Sequence, residues 1–345
     1  MSMSVASLVS RLSPPAVRTT SIPRFAAGPS AIESSWETWA STSTAQSLKE
    51  FLSTRLTSSN DVPAQNKGST PRPKVIIFGE QHHQPKVLAA QLQLVHTLAT
   101  EPFNLKVTVV MEQFNLSQQN LLDDFAKTGD AEPLQEVYAK SSEGFRIDNT
   151  GYLPLLQLVK ELENVNSSVA AGFPPREWAR IVMRQGKQGL EQDEGVSKSG
   201  FLTSFGRWDD LNVTPEHAAY ISSSISGQAP DVPKEVQQGG LKAAQAFKDA
   251  VMAWVIDKKL DENRGEEGSG GASNEVILAI CGSGHCEYGF GVTERIKSCS
   301  RDQILLLVSK PDDGSYWRTE ADAEGEDQEG RPLADGIIVY EAVDV

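Results

Sequence analysis

The apolar residues of this chain occur in short uninterrupted runs, separated by segments in which they recur every three or four positions. Runs of Val, Ile and Leu without polar alternation are typical of strands that are buried on both faces of a parallel sheet. Such runs occupy residues 75–78, 106–114, 168–173, 275–281, 303–309 and 336–341. We predict a strand in each of these segments, and we expect most of the strands to be parallel.

The intervening segments show helical spacing. Leu88, Leu92, Val95 and Leu98 give residues 84–100 one apolar face. Comparable spacing predicts helices over residues 47–56, 117–125, 152–162, 177–188, 237–260 and 292–297. Residues 191–233 are polar and interrupted, and only a helix start at Thr214-Pro215 is predicted there. The alternation of strands and helices predicts an α/β fold in which a mostly parallel central sheet is flanked by helices.

Three of the predicted strands are followed directly by acidic or imidazole side chains. Glu80 and His82 follow the run at residues 75–78, Glu112 ends the second run, and His285 follows a Gly-Ser-Gly turn after the run at residues 275–281. In an open α/β sheet, ligands bind just beyond the carboxyl ends of the strands. If the three strands are parallel, these four side chains meet at one edge, and we predict a ligand site there.

The residue types at this predicted site suit several kinds of chemistry. Imidazole and carboxylate together suit Fe, Mn or Zn, so Glu80, His82 and His285 are candidate metal ligands. Glu112 is a candidate ligand or general base. His83 alternates with His82, so we expect it to face away and to play a supporting part. The simpler alternatives are that Glu80 and His82 cap the following helix and that Glu112 forms an ion pair.

Other residues are candidates for supporting this site. Asp249 lies in an otherwise apolar helix face and, because a buried acid needs a partner, we expect it to orient a site histidine or to pair with Arg176. Tyr288 follows His285 closely and could serve haem iron as tyrosinate, or simply pack as an aromatic side chain. Cys281 and Cys286 flank the site, but four-ligand zinc sites use paired spacing, and the sequence has no second Cys/His pair.

The composition narrows the classes of function. The formal net charge is −14, which argues against a general nucleic-acid binder, and much of the acidic excess lies in residues 261–267 and 312–329. No apolar run approaches the roughly 20 residues that span a bilayer, so we expect no transmembrane segment. The three cysteines do not suit a disulfide-stapled secreted domain.

The first 35 residues have the composition of a leader. They contain Arg11, Arg18 and Arg24, many Ser, Thr and Ala residues, and no acid before Glu33. This composition predicts a transit peptide, with mitochondrial localisation preferred over plastid or cytoplasmic, or else a disordered leader. We expect a short helix and linker over residues 36–73, then one α/β domain over residues 74–345 with acidic insertions near residues 261–273 and 312–330.

The motifs at the strand ends resemble those of a known family. Gly79-Glu80-Gln81-His82, Met111-Glu112 and Gly282-Ser283-Gly284-His285 look like the three motifs of the ChaN-like haem-binding uptake proteins of the Tiki superfamily. Residues 171–189 and the helix at residues 245–253 follow in the family's order, with Phe173 and Lys248 where Asn and Arg are usual. The resemblance covers about residues 74–310.

This resemblance implies an α/β fold and the binding of haem or iron, with a homodimer that encloses stacked haems as one arrangement. It implies that Glu80, His82, Glu112, His285 and Tyr288 form the cofactor site, with Asp249, Arg176 and His83 in support. The wider superfamily includes metal-dependent peptidases and esterases, so the main alternative is a hydrolase in which His82 and His285 hold Mn or Zn and Glu112 activates water. A non-catalytic scaffold is a third reading, although it leaves the three convergent motifs unexplained.

Overall fold

A seven-stranded sheet forms the centre of the protein. The computed structural model describes residues 16–19, 48–56, 72–141, 144–162, 167–225, 234–265, 274–311 and 332–340. In chain order the strands are β1 (Ala16–Thr19), β2 (Val75–Glu80), β3 (Lys106–Asn115), β4 (Ser168–Phe173), β5 (Glu275–Gly282), β6 (Ile304–Pro311) and β7 (Gly336–Tyr340). Their spatial order is β1-β7-β6-β2-β5-β3-β4.

Strands β2 to β7 are all parallel, and β1 pairs antiparallel with β7 at one edge. The predicted α/β class with a mostly parallel sheet is therefore confirmed. All six predicted strands are present, whereas β1 lies within the segment that the sequence assigns to the leader. The rest of that leader lies outside the described residues, so the targeting interpretation stays a prediction.

Helices cover both faces of the sheet. They are α1 (Leu48–Leu56), α2 (Pro85–Ala99), α3 (Gln119–Thr128), α4 (Glu132–Lys140), α5 (Leu153–Glu161), α6 (Arg176–Gln192), α7 (Glu194–Lys198), α8 (Phe201–Phe205), α9 (Pro215–Ile225), α10 (Lys234–Gly265) and α11 (Val292–Arg295). Within the described residues, none of them is long and apolar enough to cross a membrane.

The strand side chains alternate between two apolar layers, as a sheet buried on both faces requires. Ile76 and Phe78 of β2 pack in the layer that contains α2 and α5, whereas Val75 and Ile77 pack in the layer that contains α10. The uninterrupted apolar runs in the sequence thus reflect burial on both faces of the sheet.

Several elements differ from the sequence prediction. Helix α4 was not predicted, and neither were α7 and α8, which have five residues each and are too short to show a period. Helix α10 continues to Gly265, so the predicted loop at residues 261–273 is wrong for its first five residues. Pairing of Lys259 with Glu262 supports the helix through this charged stretch. Residues 312–331 lie outside the described residues.

Candidate functional site

The ends of three neighbouring strands build the site. Strand β5 lies between β2 and β3, and its last residue, Gly282, is in register with Glu80 at the end of β2. The register between β3 and β4 shifts between Met111 and Asn115, and this irregular stretch contains Glu112. Bulges of this kind re-aim side chains at the ends of strands. The edge predicted from the sequence is therefore the edge at which these residues lie.

Glu112 stands at the centre of the cluster. Its Oε2 atom accepts a hydrogen bond of 2.5 Å from the amide of Gly282. Its Oε1 atom lies 3.8 Å from Nε2 of His82 and 3.9 Å from Nε2 of His285. These separations exceed hydrogen-bond length. The two imidazoles therefore converge on one carboxylate oxygen without being tied to it.

The imidazole of His82 is oriented by Glu80. Nδ1 of His82 lies 2.7 Å from Oε1 of Glu80, and because a carboxylate accepts, Nδ1 is the donor. The Nε2 atom then faces Glu112. Burial alone would lower the pKa of His82, but the hydrogen bond to Glu80 and the charges of Glu112 and Glu80 outweigh it, so the pKa is raised.

Glu80 itself is buried and held by further donors. Its Oε1 atom accepts from Nε2 of Gln113 at 2.7 Å and from the hydroxyl of Tyr152, and its Oε2 atom accepts from Nε2 of Gln91. These bonds and the one from His82 occupy both carboxylate oxygens. These contacts favour a role for Glu80 in orienting His82. The sequence predicted Glu80 to be a metal ligand.

His285 has an equivalent partner on the other side. Its Nδ1 atom lies 2.5 Å from Oδ1 of Asp249 on helix α10, so the first of the two predicted roles for Asp249 agrees with the geometry. Nε2 of Gln245, one turn earlier on the same helix, lies 2.7 Å from Nδ1 and 3.2 Å from Nε2 of His285. Because Nδ1 donates to Asp249, the Gln245 amide can donate only to Nε2. The ring of Phe173 contacts the imidazole edge-on, with centroids 4.9 Å apart.

A glycine keeps this second pair intact. Gly291 has φ of +60°, and a Cβ atom there would lie 2.1 Å from the carbonyl oxygen of His285 and 3.1 Å from Oδ2 of Asp249. Because any side chain would collide with the backbone of His285, only glycine fits this position.

The remaining predicted residues lie further from this centre. His83 has φ of +63°, and its ring lies against Phe145 and Tyr152. The pKa of His83 is lowered mainly by burial and secondly by the charge of the neighbouring His82. The ring of Tyr288 packs with those of Tyr220 and Phe290. Arg176 is exposed at the first residue of α6. The cofactor and supporting roles of these residues stay predictions.

The mouth of the site combines aromatic rings with one basic side chain. The Phe145 ring meets His82 edge-on at 5.2 Å on one side, and Phe173 meets His285 on the other. Nζ of Lys248 lies 5.7 Å from the centre of the Phe173 ring, and its charge acts on His82. An apolar ligand with an acidic group would meet both kinds of contact here.

The described side chains do not form a complete metal site by themselves. Across the described ranges, no group of three or more His, Cys, Asp and Glu side chains is arranged to hold a metal ion. The cysteines beside the site are free. The pKa of Cys281 is raised well above its usual value, mainly by the hydrogen bond with Cys286 and secondly by complete burial. The raised pKa favours the thiol, whereas zinc requires the thiolate.

The sequence interpretation missed four residues that hold the site together. Gln91, Gln113 and Tyr152 contact Glu80, and Gln245 contacts His285. One signal was available: Gln91 falls between Leu88 and Leu92 on the apolar face of α2, where a polar side chain needs a partner.

One protein family and several solved structures are similar to this chain. A sequence model of the haem-binding uptake family of the Tiki superfamily, ChaN, matches residues 70–296. Among solved structures, ChaN of Campylobacter jejuni, described for cofacial haem binding, is 17% identical with a TM-score of 0.46, over 78% of this chain and 88% of that chain. The erythromycin esterase EreC in its open conformation is 10% identical with a TM-score of 0.37, over 69% of this chain and 70% of that chain.

The type III effector HopBA1 is also similar, with 12% identity and a TM-score of 0.35 over 78% of this chain and 88% of that chain. No curated protein matches the sequence. The family model extends over well more than half of the chain and includes all three strand-end motifs. The chain therefore belongs to the ChaN haem-binding uptake family of the Tiki superfamily.

Proposed function

We propose that this protein binds haem at the edge where Glu112 lies between His82 and His285. The observation that carries the proposal is the orientation of the two imidazoles. Each has its Nδ1 atom on a buried acidic side chain and its Nε2 atom turned to the same carboxylate oxygen. A metal-binding histidine typically has its other ring nitrogen held in this way, and imidazole is a common haem-iron ligand.

The charges at the site support the same ligand. Glu80, Glu112 and Asp249 are buried acidic side chains, and Lys248 is half-buried at the mouth. Oδ2 of Asp249 has no hydrogen-bond partner among the described residues. Buried acids of this kind require a cation or a proton donor nearby. Ferric haem offers a cationic centre, an apolar ring that suits Phe145 and Phe173, and acidic propionates that suit Lys248.

In this proposal the residues divide into ligands and supports. His82 and His285 would hold the haem iron, and Glu112 lies between them. Glu80 and Asp249 orient the imidazoles. Bound haem would supply an iron centre for the transfer or storage of iron-porphyrin. Tyr288, whose ring packs against Tyr220 and Phe290, would be the alternative iron ligand.

The cellular role that we propose is organellar haem or iron handling, in the mitochondrion first and the plastid second. Its support is the composition of residues 1–35, which contain three arginines and a single acidic residue, Glu33. Fluorescent tagging of the full-length chain tests the localisation, and cytosolic fluorescence would contradict it.

Absorption spectroscopy tests the ligand directly. Ferric haem titrated into the full-length protein is expected to give a shifted Soret band that saturates at a fixed stoichiometry. The shift should weaken in His285→Ala and persist in the control His96→Ala, because His96 lies on α2 away from the strand ends. No shift, together with stoichiometric Zn or Mn in the purified protein, would overturn the proposal.

Hydrolysis is the second candidate, and the two acid–imidazole pairs favour it. In enzymes, an acid that orients an imidazole is a recurrent support for proton transfer. Here His82 and His285 would hold a divalent metal, and Oε1 of Glu112 would accept a proton from water. This candidate predicts metal-dependent turnover of an ester or a peptide that is lost in Glu112→Gln while the metal stays bound. Turnover that persists in this variant would exclude it.

A further inference from the structure

Three buried polar residues surround Glu80 without an evident role in folding. Gln91 lies on α2, Gln113 on β3, and Tyr152 immediately before α5, so the donors come from three separate elements. None of the three side chains is more than 1% exposed. All three donate to the carboxylate of Glu80.

In the described part of the chain, the side-chain carbonyl oxygens of Gln91 and Gln113 lack hydrogen bonds, which is unfavourable for folding. Oε1 of Gln91 and Oε1 of Gln113 are buried and have no hydrogen-bond partner among the described residues. An unsatisfied buried carbonyl opposes folding, and an apolar side chain of similar size would avoid that cost. The amides therefore stabilise something other than the packing around them, and the group that they contact is Glu80.

The position of Glu80 in turn decides which nitrogen of His82 faces the site. A carboxylate on Nδ1 selects the tautomer with the proton on Nδ1 and leaves the lone pair on Nε2. A carboxylate that could rotate away would release the imidazole to exchange tautomers. The donors on both oxygens of Glu80 prevent that rotation.

We propose that Gln91, Gln113 and Tyr152 are positioning residues that hold Glu80 so that His82 presents the lone pair of Nε2 to the site. The inference rests on the proposed function only in that Nε2 is taken as the ligand atom. It identifies residues that act through Glu80 and have no direct contact with the ligand.

Nitrogen NMR of the ligand-free, full-length protein with ¹⁵N-labelled histidine tests this inference. The signals of His82 are assigned by their loss in His82→Gln. In the wild type they are expected to show one tautomer with the proton on Nδ1 at a pH above the pKa of His82. In Tyr152→Phe and in Gln91→Leu they are expected to shift toward averaged values that report tautomer exchange.

Each variant has a matched control in the same layer. Tyr138→Phe removes a buried hydroxyl that donates to the Gln113 carbonyl oxygen and to Oε1 of Gln118. Gln93→Leu removes a buried amide with an unpartnered carbonyl two residues from Gln91 on the same helix. Both controls should keep the single tautomer of His82. If a test variant keeps it as well, or if Gln93→Leu loses it to the same extent, the inference is overturned.

Haem titration provides a second and separate readout. Loss of a residue that orients a metal ligand typically weakens metal binding by about 10-fold to 100-fold. We expect at least about 10-fold weaker haem binding in Tyr152→Phe than in Tyr138→Phe. If the tautomer shifts but wild-type protein binds no haem, the proposed function fails and the positioning role stands. If wild type binds haem and Tyr152→Phe changes neither readout, only the positioning role fails.

Discussion

The two imidazoles of the site are supported in different ways. Glu80 receives hydrogen bonds from four described side chains, whereas Asp249 keeps one oxygen without a partner and holds His285 through the other. The exposures run the opposite way: the His82 side chain is 38% exposed, and that of His285 is 9% exposed. The more accessible ring therefore has the more firmly held acid.

This difference shows how the fold divides the two tasks of the site. His82 lies where solvent and ligand can reach it, so burial cannot fix its ring, and a strongly held Glu80 must do so. His285 is confined by Phe173 and by Gln245 as well as by Asp249, so packing supplies much of its orientation. In both histidines the Nε2 atom faces Glu112.

The largest expected consequence is in the free energy of unfolding. Glu80→Ala leaves the donors of Gln91, Gln113 and Tyr152 buried without an acceptor and should destabilise the protein by about 4 kcal/mol. Asp249→Ala should cost about 2 kcal/mol, because only one hydrogen bond, from Nδ1 of His285, loses its acceptor. Chemical denaturation followed by circular dichroism measures both values. An equal or larger cost for Asp249→Ala would contradict the asymmetry.

Substitution of two glycines near the ligand site should have a smaller effect, on haem binding. A Cβ atom on Gly282 would lie 3.1 Å from Nε2 of His82 and 3.5 Å from Oε2 of Glu112, whereas one on Gly284 would meet nothing within 4 Å. Gly282→Ala is therefore expected to weaken haem binding by about 1–2 kcal/mol through crowding of the His82 side. Gly284→Ala should bind as the wild type does in the same Soret titration. Equal affinities in the two variants would show that the ligand does not use this space.

The smallest effect concerns pH. The pKa of His82 is raised above 6.5, so its contribution to stability is fully present below about pH 6.5 and is lost as the pH rises through the folded-state value. The stability difference between wild type and His82→Gln should therefore shrink with rising pH. It should be small, because solvent screens a side chain that is more than a third exposed.

Glu80→Gln gives the matching control, because it removes the hydrogen-bonding carboxylate from His82. NMR titration should find a lower pKa for His82 in this variant than in the wild type. If His82 of the wild type titrates at or below 6.5, the interaction with Glu80 is weaker than its geometry indicates.

Much of the fold could be predicted from the sequence, because burial on both faces gives parallel strands an unmistakable pattern. The ends of β2, β3 and β5 followed from the same runs, and parallel pairing then placed Glu80, His82, Glu112 and His285 at one edge. Helices α7 and α8 could not be predicted in this way. Five residues complete little more than one turn, so they show no repeat of the apolar face.

The division between ligands and supports could not be predicted either. Carboxylate beside imidazole is equally suitable for a metal ligand and for a group that orients one, and the sequence favoured the first role for Glu80. What separates the two is the number of donors on Glu80. Those donors come from positions as far as 72 residues away, and no local pattern connects them.

If His82 and His285 bind the same haem, the double variant His82→Ala/His285→Ala should abolish its binding. In a Soret titration of the full-length protein, this variant is expected to lose the saturable shift shown by the wild type, while His96→Ala retains it. A double variant that binds haem with wild-type affinity and stoichiometry would show that these two histidines do not hold the haem.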